Sequence, residues 1–517
     1  MSYNPSYCWI LALALGPFFT QRVRDPQRVP KTITQLYSYY IYNILKNHSR
    51  EIENPRDVLL RVGQMAFRGV SEKKIVFTDG DLIKFNLQPS QFLSGFLMEL
   101  LERQDSARSV VYTFPHLTIQ EFVAAVAQFL NPHPGDILIF LTEAHNTTDG
   151  RFEIFLRFVV GLSSPMTAQG LEEFLGPFPH QTTCRVIDWV KEEVKHQSGN
   201  MRSEAGKRSL LNTLHYLFES QNRGLAQATL GSVETLSFSQ LPLTPIDCAV
   251  LSHVIGLCDT IKHLDLWDCH IQCEGIQRLG PGLHKCQELR LGLNNLGDSG
   301  VKLVSVALRN PECKIQKLWL SEVVLTDSGA EDLVSALSTK PSLMELDLSY
   351  NKLGDSGVKL VSSALRNPEC EIQELGLYNV SLTDSGAEDL ASALSTNPSL
   401  TGLNLGYNQL GDSGVKLVSA ALRNPECKIQ KLRLNNVGLT DSGAEDLISA
   451  LSTNTSLMVL NLSHNSLTDR SVPALRHLIL ILPSLECIEL YGNRFSETGK
   501  KELRSLQEPR PGLTVIV

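Results

Sequence analysis

The segment Leu-Gly-Asp-Ser-Gly-Val-Lys-Leu-Val-Ser begins at Leu296, again at Leu353 and again at Leu410, so the chain returns to the same ten residues every 57 positions. Internal repetition constrains a fold more than any short motif, because it makes the architecture one of stacked units. Each step holds two units. A Leu-x-Leu pair recurs at Leu289/Leu291, Leu318/Leu320, Leu346/Leu348, Leu375/Leu377, Leu403/Leu405, Leu432/Leu434 and Leu460/Leu462, alternately 29 and 28 residues apart. Weaker copies stand at Leu236/Phe238, Leu264/Leu266 and Ile488/Leu490, so ten units are visible.

Each unit reads as a short strand followed by a helix. Strand side chains alternate, so Leu346 and Leu348 face one side and Glu345, Asp347 and Ser349 the other. In the following helix Gly300, Leu303, Val304, Ala307 and Leu308 recur at helical spacing and form one apolar stripe. Asp298 and Ser299 can accept hydrogen bonds from the first free amides of that helix, Ser328 and Glu331 have capping-box spacing in the alternate unit, and Pro311 helps to end the helix before it. A lone unit would expose both apolar stripes, so stability must come from stacking. The expected result is an α/β horseshoe with strands on the inner wall and the wider helices outside. Asn294, Asn351, Asn408 and Asn465, at the turn after alternate strands, are expected to satisfy the backbone of a tight bend.

The pattern Leu-x-x-Leu-x-Leu-x-x-Asn-x-Leu over residues 231–517 resembles the ribonuclease-inhibitor type of leucine-rich repeat. Where that family often has Cys, this chain has Val323, Val380 and Val437, so a cysteine-lined inhibitor's sensitivity to oxidation does not carry over. Cys313, Cys370 and Cys427 each sit in an Asn-Pro-Glu-Cys turn and are expected to fill repeat cores.

Upstream of Gly231 the pattern is mainly helical. Thr32–Lys46 reads as a Tyr-rich amphipathic helix, Lys74-Ile-Val-Phe77 as a strand, Gln91–Leu101 as a helix, Val110–Phe114 as β-prone and Thr118–Leu130 as a helix. This alternation fits a small winged-helix unit. Phe152–Leu162, Ala168–Leu175 and Cys184–Lys195 suggest a separate helical domain joined through Asn131-Pro-His-Pro-Gly135. The expected division is 1–50, a remnant of a first helical domain; 51–130, a winged helix; 131–230, a second helical domain; and 231–517, the repeats.

Phe114-x-His116-x-Thr118-x-Gln120-Glu121-Phe122 resembles the winged-helix signature of the NACHT and leucine-rich-repeat (NLR) proteins, innate immune sensors. Pro5-x-x-Cys8-Trp9-Ile10 is similar to part of their first helical domain, and the likeness continues through Arg157-Phe-Val-Val-Gly-Leu162 and Trp189-Val-Lys191. It implies a cytoplasmic protein that binds a protein or pathogen-derived ligand on the concave face of its repeats and associates with other NLR proteins. It also implies that His116 touches the β-phosphate of bound ADP and that Pro5 packs near the adenine. The phosphate-cradling sequence Gly-x-x-x-x-Gly-Lys-Ser/Thr occurs nowhere in the chain, and without that cradle a packed, hydrogen-bonded His116 is expected. No cofactor is expected for this chain alone, although full-length relatives use ADP and ATP, and ATP hydrolysis is not expected.

The formal charge of −8 supplies no basic field for nucleic acid or an anionic membrane. Eleven scattered cysteines with no C-x-x-C pair argue against a disulfide scaffold or a structural zinc site, and for a reducing compartment. The apolar run Cys8–Leu15 is preceded by no Lys or Arg and is far short of the ~20 residues that span a bilayer. It reads as a buried helix in preference to a secretory signal, and no membrane span is expected.

Strand alternation projects Trp267, Arg290, Trp319, Tyr378, Arg433 and Tyr491 onto the concave side, each from a different unit. Aromatic and arginine side chains dominate binding hot spots. The competing reading, left open, is that they are exposed strand residues packed against one another, with gaps at Gly402, Gly406 and Ser463. No catalytic arrangement can be assembled: His263 and His464 read as solvated strand or turn residues. The rival to an NLR-like sensor is a free-standing ribonuclease-inhibitor-like protein that blocks a partner protein, with the first 230 residues only capping the repeats.

Overall fold

The computed structural model describes residues 29–48, 54–88, 95–104, 107–131 and 137–517, with residue 12 and without 340, 341, 425, 426, 455, 509 and 511. Pro5, and the run Cys8–Leu15 apart from Ala12, lie outside the described residues. The chain divides into two compact units, Met1–Ser232 and Val233–Val517.

In the first unit β1 (Val76–Thr78), β2 (Met98–Gln104) and β3 (Ala107–Thr113) form an antiparallel sheet in the order β1-β3-β2. The helix expected over Gln91–Leu101 is corrected here: Met98–Leu101 belongs to β2, paired with β3 from Met98↔Thr113 to Gln104↔Ala107. Met, Glu and Leu favour a helix locally, but pairing with the β-branched Val110 and Val111 of β3 overrides that preference. Gly63 lets the helix Pro55–Glu72 lie against Leu117–Leu130; a Cβ there would fall 2.4 Å from Ala127 Cβ and 2.6 Å from Val123 O. Tyr37, Phe122 and Phe158 close the neighbouring core with ring centroids 5.0 to 5.7 Å apart.

Among the described residues of this unit two carboxylates are buried. Glu219 accepts hydrogen bonds from Thr34 N at 3.0 Å and Thr34 Oγ1 at 2.5 Å, and burial pushes its carboxyl above the usual range. Burial, reinforced by the charge of Glu153, pushes Glu121 up to about 8. Because the folded state holds that proton more tightly than the unfolded chain, its contribution is full below about pH 4.5 and is lost as pH rises towards 8. Thermal unfolding monitored across that window is expected to show falling stability in the native chain and a flatter profile, with a higher midpoint at pH 8, for Glu121→Gln.

The second unit is a parallel sheet of eleven strands in sequence order, with a helix between successive strands. They are β4 (Thr235–Ser237), β5 (Ile261–Asp265), β6 (Cys286–Arg290), β7 (Lys317–Trp319), β8 (Glu345–Asp347), β9 (Glu374–Gly376), β10 (Gly402–Asn404), β11 (Lys431–Arg433), β12 (Val459–Asn461), β13 (Cys487–Glu489) and β14 (Thr514–Ile516). This is the leucine-rich-repeat horseshoe. Register runs leucine to leucine from β4 to β12, for example Leu346↔Leu375 and Leu403↔Leu432, and continues through Ile488 and Val515; Leu346 and Leu403 are at most 2% exposed. The terminal strand β14 raises the ten visible units to eleven strands; Leu513 and Val515 fill its core in place of a Leu-x-Leu pair.

Two details of the local reading are corrected. The helix Gly297–Leu308 starts at Leu296 with no side-chain cap. Asp298 instead accepts from Thr326 N at 2.8 Å and Thr326 Oγ1 at 2.7 Å, 28 residues onward. Asp355 does the same for Thr383 and Asp412 for Thr440. The expected Ser328–Glu331 capping box does not form: Thr326 holds the N-cap position of Asp327–Leu337, and its hydroxyl is already given to Asp298. A residue that could cap its own helix thus ties two repeats together. The expected stripe holds at Gly300, Val304, Ala307 and Leu308, with Val301 and Ser305 buried beside them and Leu303 half-buried.

The asparagines sit where the turn requires them. Asn351 Oδ1 accepts from Val323 N at 3.1 Å and Leu325 N at 3.0 Å, and its Nδ2 donates to Leu320 O at 2.7 Å and Leu348 O at 2.9 Å. Asn294, Asn408 and Asn465 repeat the pattern. Val323, Val380 and Val437 are buried among these turns; in the Asn-Pro-Glu-Cys turns Cys313 is buried, while Cys370 and Cys427 are half-buried.

Candidate binding face of the repeats

The strand residues between the leucines form rows that cross the inner wall. One row runs Asp265, Arg290, Trp319, Asp347, Gly376, Asn404, Arg433, Asn461, Glu489, each residue in register with the next. Arg290, Trp319 and Arg433 therefore share one line. Trp267, Tyr378 and Tyr491 follow the second apolar residue of their units, on a second line beside it. Parallel in-register pairing places residues about 4.8 Å apart from strand to strand, so each side chain meets its counterparts in adjacent units. All six candidates are at least partly exposed.

The structure joins some of them and separates others. The Arg290 guanidinium lies 4.7 Å from the centre of the Trp319 ring, a cation–π arrangement. The Tyr378 ring stands between Tyr350 at 5.0 Å and Tyr407 at 4.9 Å, and burial together with the Tyr350 hydroxyl raises the Tyr378 phenol. Tyr491 packs edge-on against His464 at 4.9 Å. The Trp267 ring covers Gly292, whose Cβ would fall 2.5 Å from it. Both open readings thus have support: there are exposed rings, and several of them rest on one another.

Between these groups the wall is hollow. A depression of about 200 Å³ is lined by Trp319, Glu345, Asp347, Glu374, Gly376, Gly402, Asn404, Lys431 and Arg433, among others. Glycine makes it: a Cβ on Gly376 would lie 2.3 Å from Asp347 Oδ1, and one on Gly402 would lie 2.3 Å from Glu374 Oε2. Lys431 Nζ reaches over Gly402 to Glu374 Oε1 at 2.7 Å. At one side His263 Nδ1 and Lys317 Nζ converge on Glu288 at 2.5 and 2.8 Å, so His263 is paired instead of merely solvated. Burial raises the Glu345 carboxyl, Lys317 opposing and Glu374 reinforcing the shift. Tyr350, Tyr407 and the carboxylates Glu345, Asp347 and Glu374 were not among the sequence candidates. Their signal was the run of glycines at Gly376, Gly402 and Gly406, which reads as interruption when each strand is taken singly.

In the first unit His116 occupies the N-cap of Leu117–Leu130. Its Nδ1 accepts from Thr118 N at 3.2 Å and lies 2.7 Å from Thr118 Oγ1, which also bonds the Tyr37 hydroxyl. Burial lowers the imidazole pKa, favouring its neutral form. Among the described residues no group of His, Cys, Asp or Glu could hold a metal ion, and no helix is long and apolar enough to cross a membrane.

A winged-helix and helical unit followed along the chain by a ribonuclease-inhibitor-type horseshoe is the order of domains that the NLR resemblance implies. Three family models match segments of the chain. Residues 57–114 match the NOD2 winged helix domain, residues 116–228 the NLRC4 helical domain HD2, and residues 287–305, 339–362, 396–419 and 453–475 the leucine-rich repeat. The chain is 28% identical over 635 aligned positions to NACHT, LRR and PYD domains-containing protein 3 of Rattus norvegicus, covering 100% of this chain and 60% of that protein. The human counterpart is 27% identical over a similar span. NACHT, LRR and PYD domains-containing protein 14 of Mus musculus is 39% identical over 249 residues, covering 47% of this chain and 25% of that protein. The chain spans about 60% of the length of the first two relatives.

Proposed function

We propose that this chain is an NLR-like regulator of innate immune signalling that binds a protein ligand on the inner strand face of its horseshoe. The supporting observation is the pairing of a hollow with aromatic and charged side chains at positions the repeat core does not need. The core is complete with the leucines, so Trp319, Tyr378 and Arg433 are not required by packing. The relatives' names place NACHT and PYD domains beside the repeats; by that likeness the winged helix and second helical domain couple ligand binding to a nucleotide switch only in company with a nucleotide-binding core. The cytoplasm is the compartment this reading requires.

A photo-crosslinking amino acid placed at Tyr378, in cells expressing the full chain, tests it. A discrete protein adduct is expected from Tyr378 and not from Lys359 on the outer helix, with loss of the adduct when Trp319→Ala and Arg433→Ala are added. Equal adducts from both positions would count against the inner face. For the chain alone, His116 is committed to its helix cap, so calorimetry is expected to find no ADP affinity tighter than about millimolar, in keeping with a missing phosphate cradle. ATP is expected to be hydrolysed no faster than in buffer. Micromolar ADP binding lost in His116→Ala would reverse that expectation.

A further inference from the structure

The hollow at Gly376 and Gly402 has a polarity of its own. Lys431 is held by Glu374 at 2.7 Å and Lys317 by Glu288 at 2.8 Å, and Arg290 is stacked on Trp319. Among the described residues Glu345 and Asp347 have no ion pair, and neither does Arg433 on the opposite side. Asp347 Oδ1 accepts from Ser349 N at 3.0 Å, Asp347 stands in register with Trp319, and Glu345 lines the same hollow. Two carboxylates beside an indole therefore face a lone guanidinium across glycine. Asp347 and Arg433 stand three strand spacings apart in one row, about 14 Å, which an extended segment covers in about four residues.

We propose that the hollow receives an extended segment of a protein ligand, its arginine held by Glu345 and Asp347 against Trp319 and a carboxylate four residues away meeting Arg433. Arginine suits the near end better than lysine, because a planar guanidinium can pair with a carboxylate and stack on an indole at once. The stack of Arg290 on the same ring shows that the geometry is available. A side chain on Gly376 or Gly402 would occupy the space the segment needs. The proposal rests on the inner-face reading above and names the chemistry of the ligand for it.

Titration of the purified full chain with an acetylated, amidated Arg-Ser-Ser-Ser-Glu peptide and its reversed sequence, followed by calorimetry or tryptophan fluorescence, tests the assignment. At least one order is expected to bind, with a loss of about tenfold or more when citrulline replaces arginine. Glu345→Gln with Asp347→Asn is expected to produce a similar loss, and Arg433→Gln to weaken the glutamate peptide but not its glutamine analogue. Gly376→Val is expected to abolish binding while circular dichroism stays native; the Glu345 and Asp347 variants carry the test if that protein does not fold. Equal affinity of the citrulline peptide, or no binding by either order, overturns the proposal. It would do so while leaving the inner-face reading intact if Tyr378 still crosslinks a protein; an adduct found only from Lys359 would remove both.

Discussion

Leu346→Ala is expected to lower the stability of the repeat unit by about 3 kcal/mol, within the roughly 2–5 kcal/mol range for deleting a buried leucine side chain. Leu346 is fully buried between in-register leucines of β7 and β9, so the cavity has rigid walls on both sides and little room to collapse. The loss falls on an interior unit of a stacked array, where each repeat is stabilised mainly by its neighbours. Urea unfolding followed by circular dichroism should show a lower midpoint. Hydrogen exchange should place the new weakness around residues 317–376, with units near β4 and β13 little affected. A uniform loss of protection along the whole chain would mean that the array unfolds as one block, contrary to the nearest-neighbour account.

Asn351→Ala is expected to cost as much or more, although it removes less volume. Its amide satisfies two buried backbone donors, Val323 N and Leu325 N, and two carbonyls, Leu320 O and Leu348 O. Alanine leaves those buried groups without their partner, at about 1–3 kcal/mol for each unsatisfied group. Asn351→Asp keeps the acceptor but loses the donor and buries a charge, so it is expected to fall no better than alanine. Thermal unfolding of the three proteins side by side measures this. A change below about 1 kcal/mol for Asn351→Ala would show that the turn does not depend on the asparagine ladder.

These two sites illustrate what the amino-acid sequence discloses. The leucine spacing and the asparagines were legible because each repeats 28 or 57 residues later in the same local setting, and burial follows directly from alternation along a strand. What was hidden lies between repeats. Asp298 looked like a cap for its own helix and instead caps the following turn at Thr326, a contact that local propensity cannot reveal. Met98–Leu101 looked helical because its residues favour helices, yet its pairing partner lies on β3. At terminal strand β14, Val515 and Val517 stand where earlier units carry the leucine pair, and it was missed for that reason.

On the inner wall the aromatic and arginine positions followed from alternation, but the hollow did not. It depends on Gly376 and Gly402 on the adjacent strands β9 and β10 and on the carboxylates of Asp347 and Glu374 leaning over them, and adjacency across strands becomes visible only once register is known. Gly402, read as a gap, is one of the two glycines that open the hollow. Alternation places Glu345 and Asp347 opposite the leucines and says no more of them; Lys431 pairs with Glu374 and Lys317 with Glu288, and among the described residues Glu345 and Asp347 are left without a cation.

The most direct test of the binding face compares two triple variants of the full chain against the protein captured through Tyr378, with affinity measured by surface plasmon resonance. Trp319→Ala, Tyr378→Ala and Arg433→Ala together should weaken binding by about a hundredfold, since a few aromatic and arginine anchors carry most of such an interface. Lys302→Ala, Lys359→Ala and Lys416→Ala, whose side chains are 63%, 66% and 70% exposed on the outer helices, should change it by less than about twofold. An unchanged affinity in the first protein, or a larger loss in the second, would contradict the inner wall as the site of recognition.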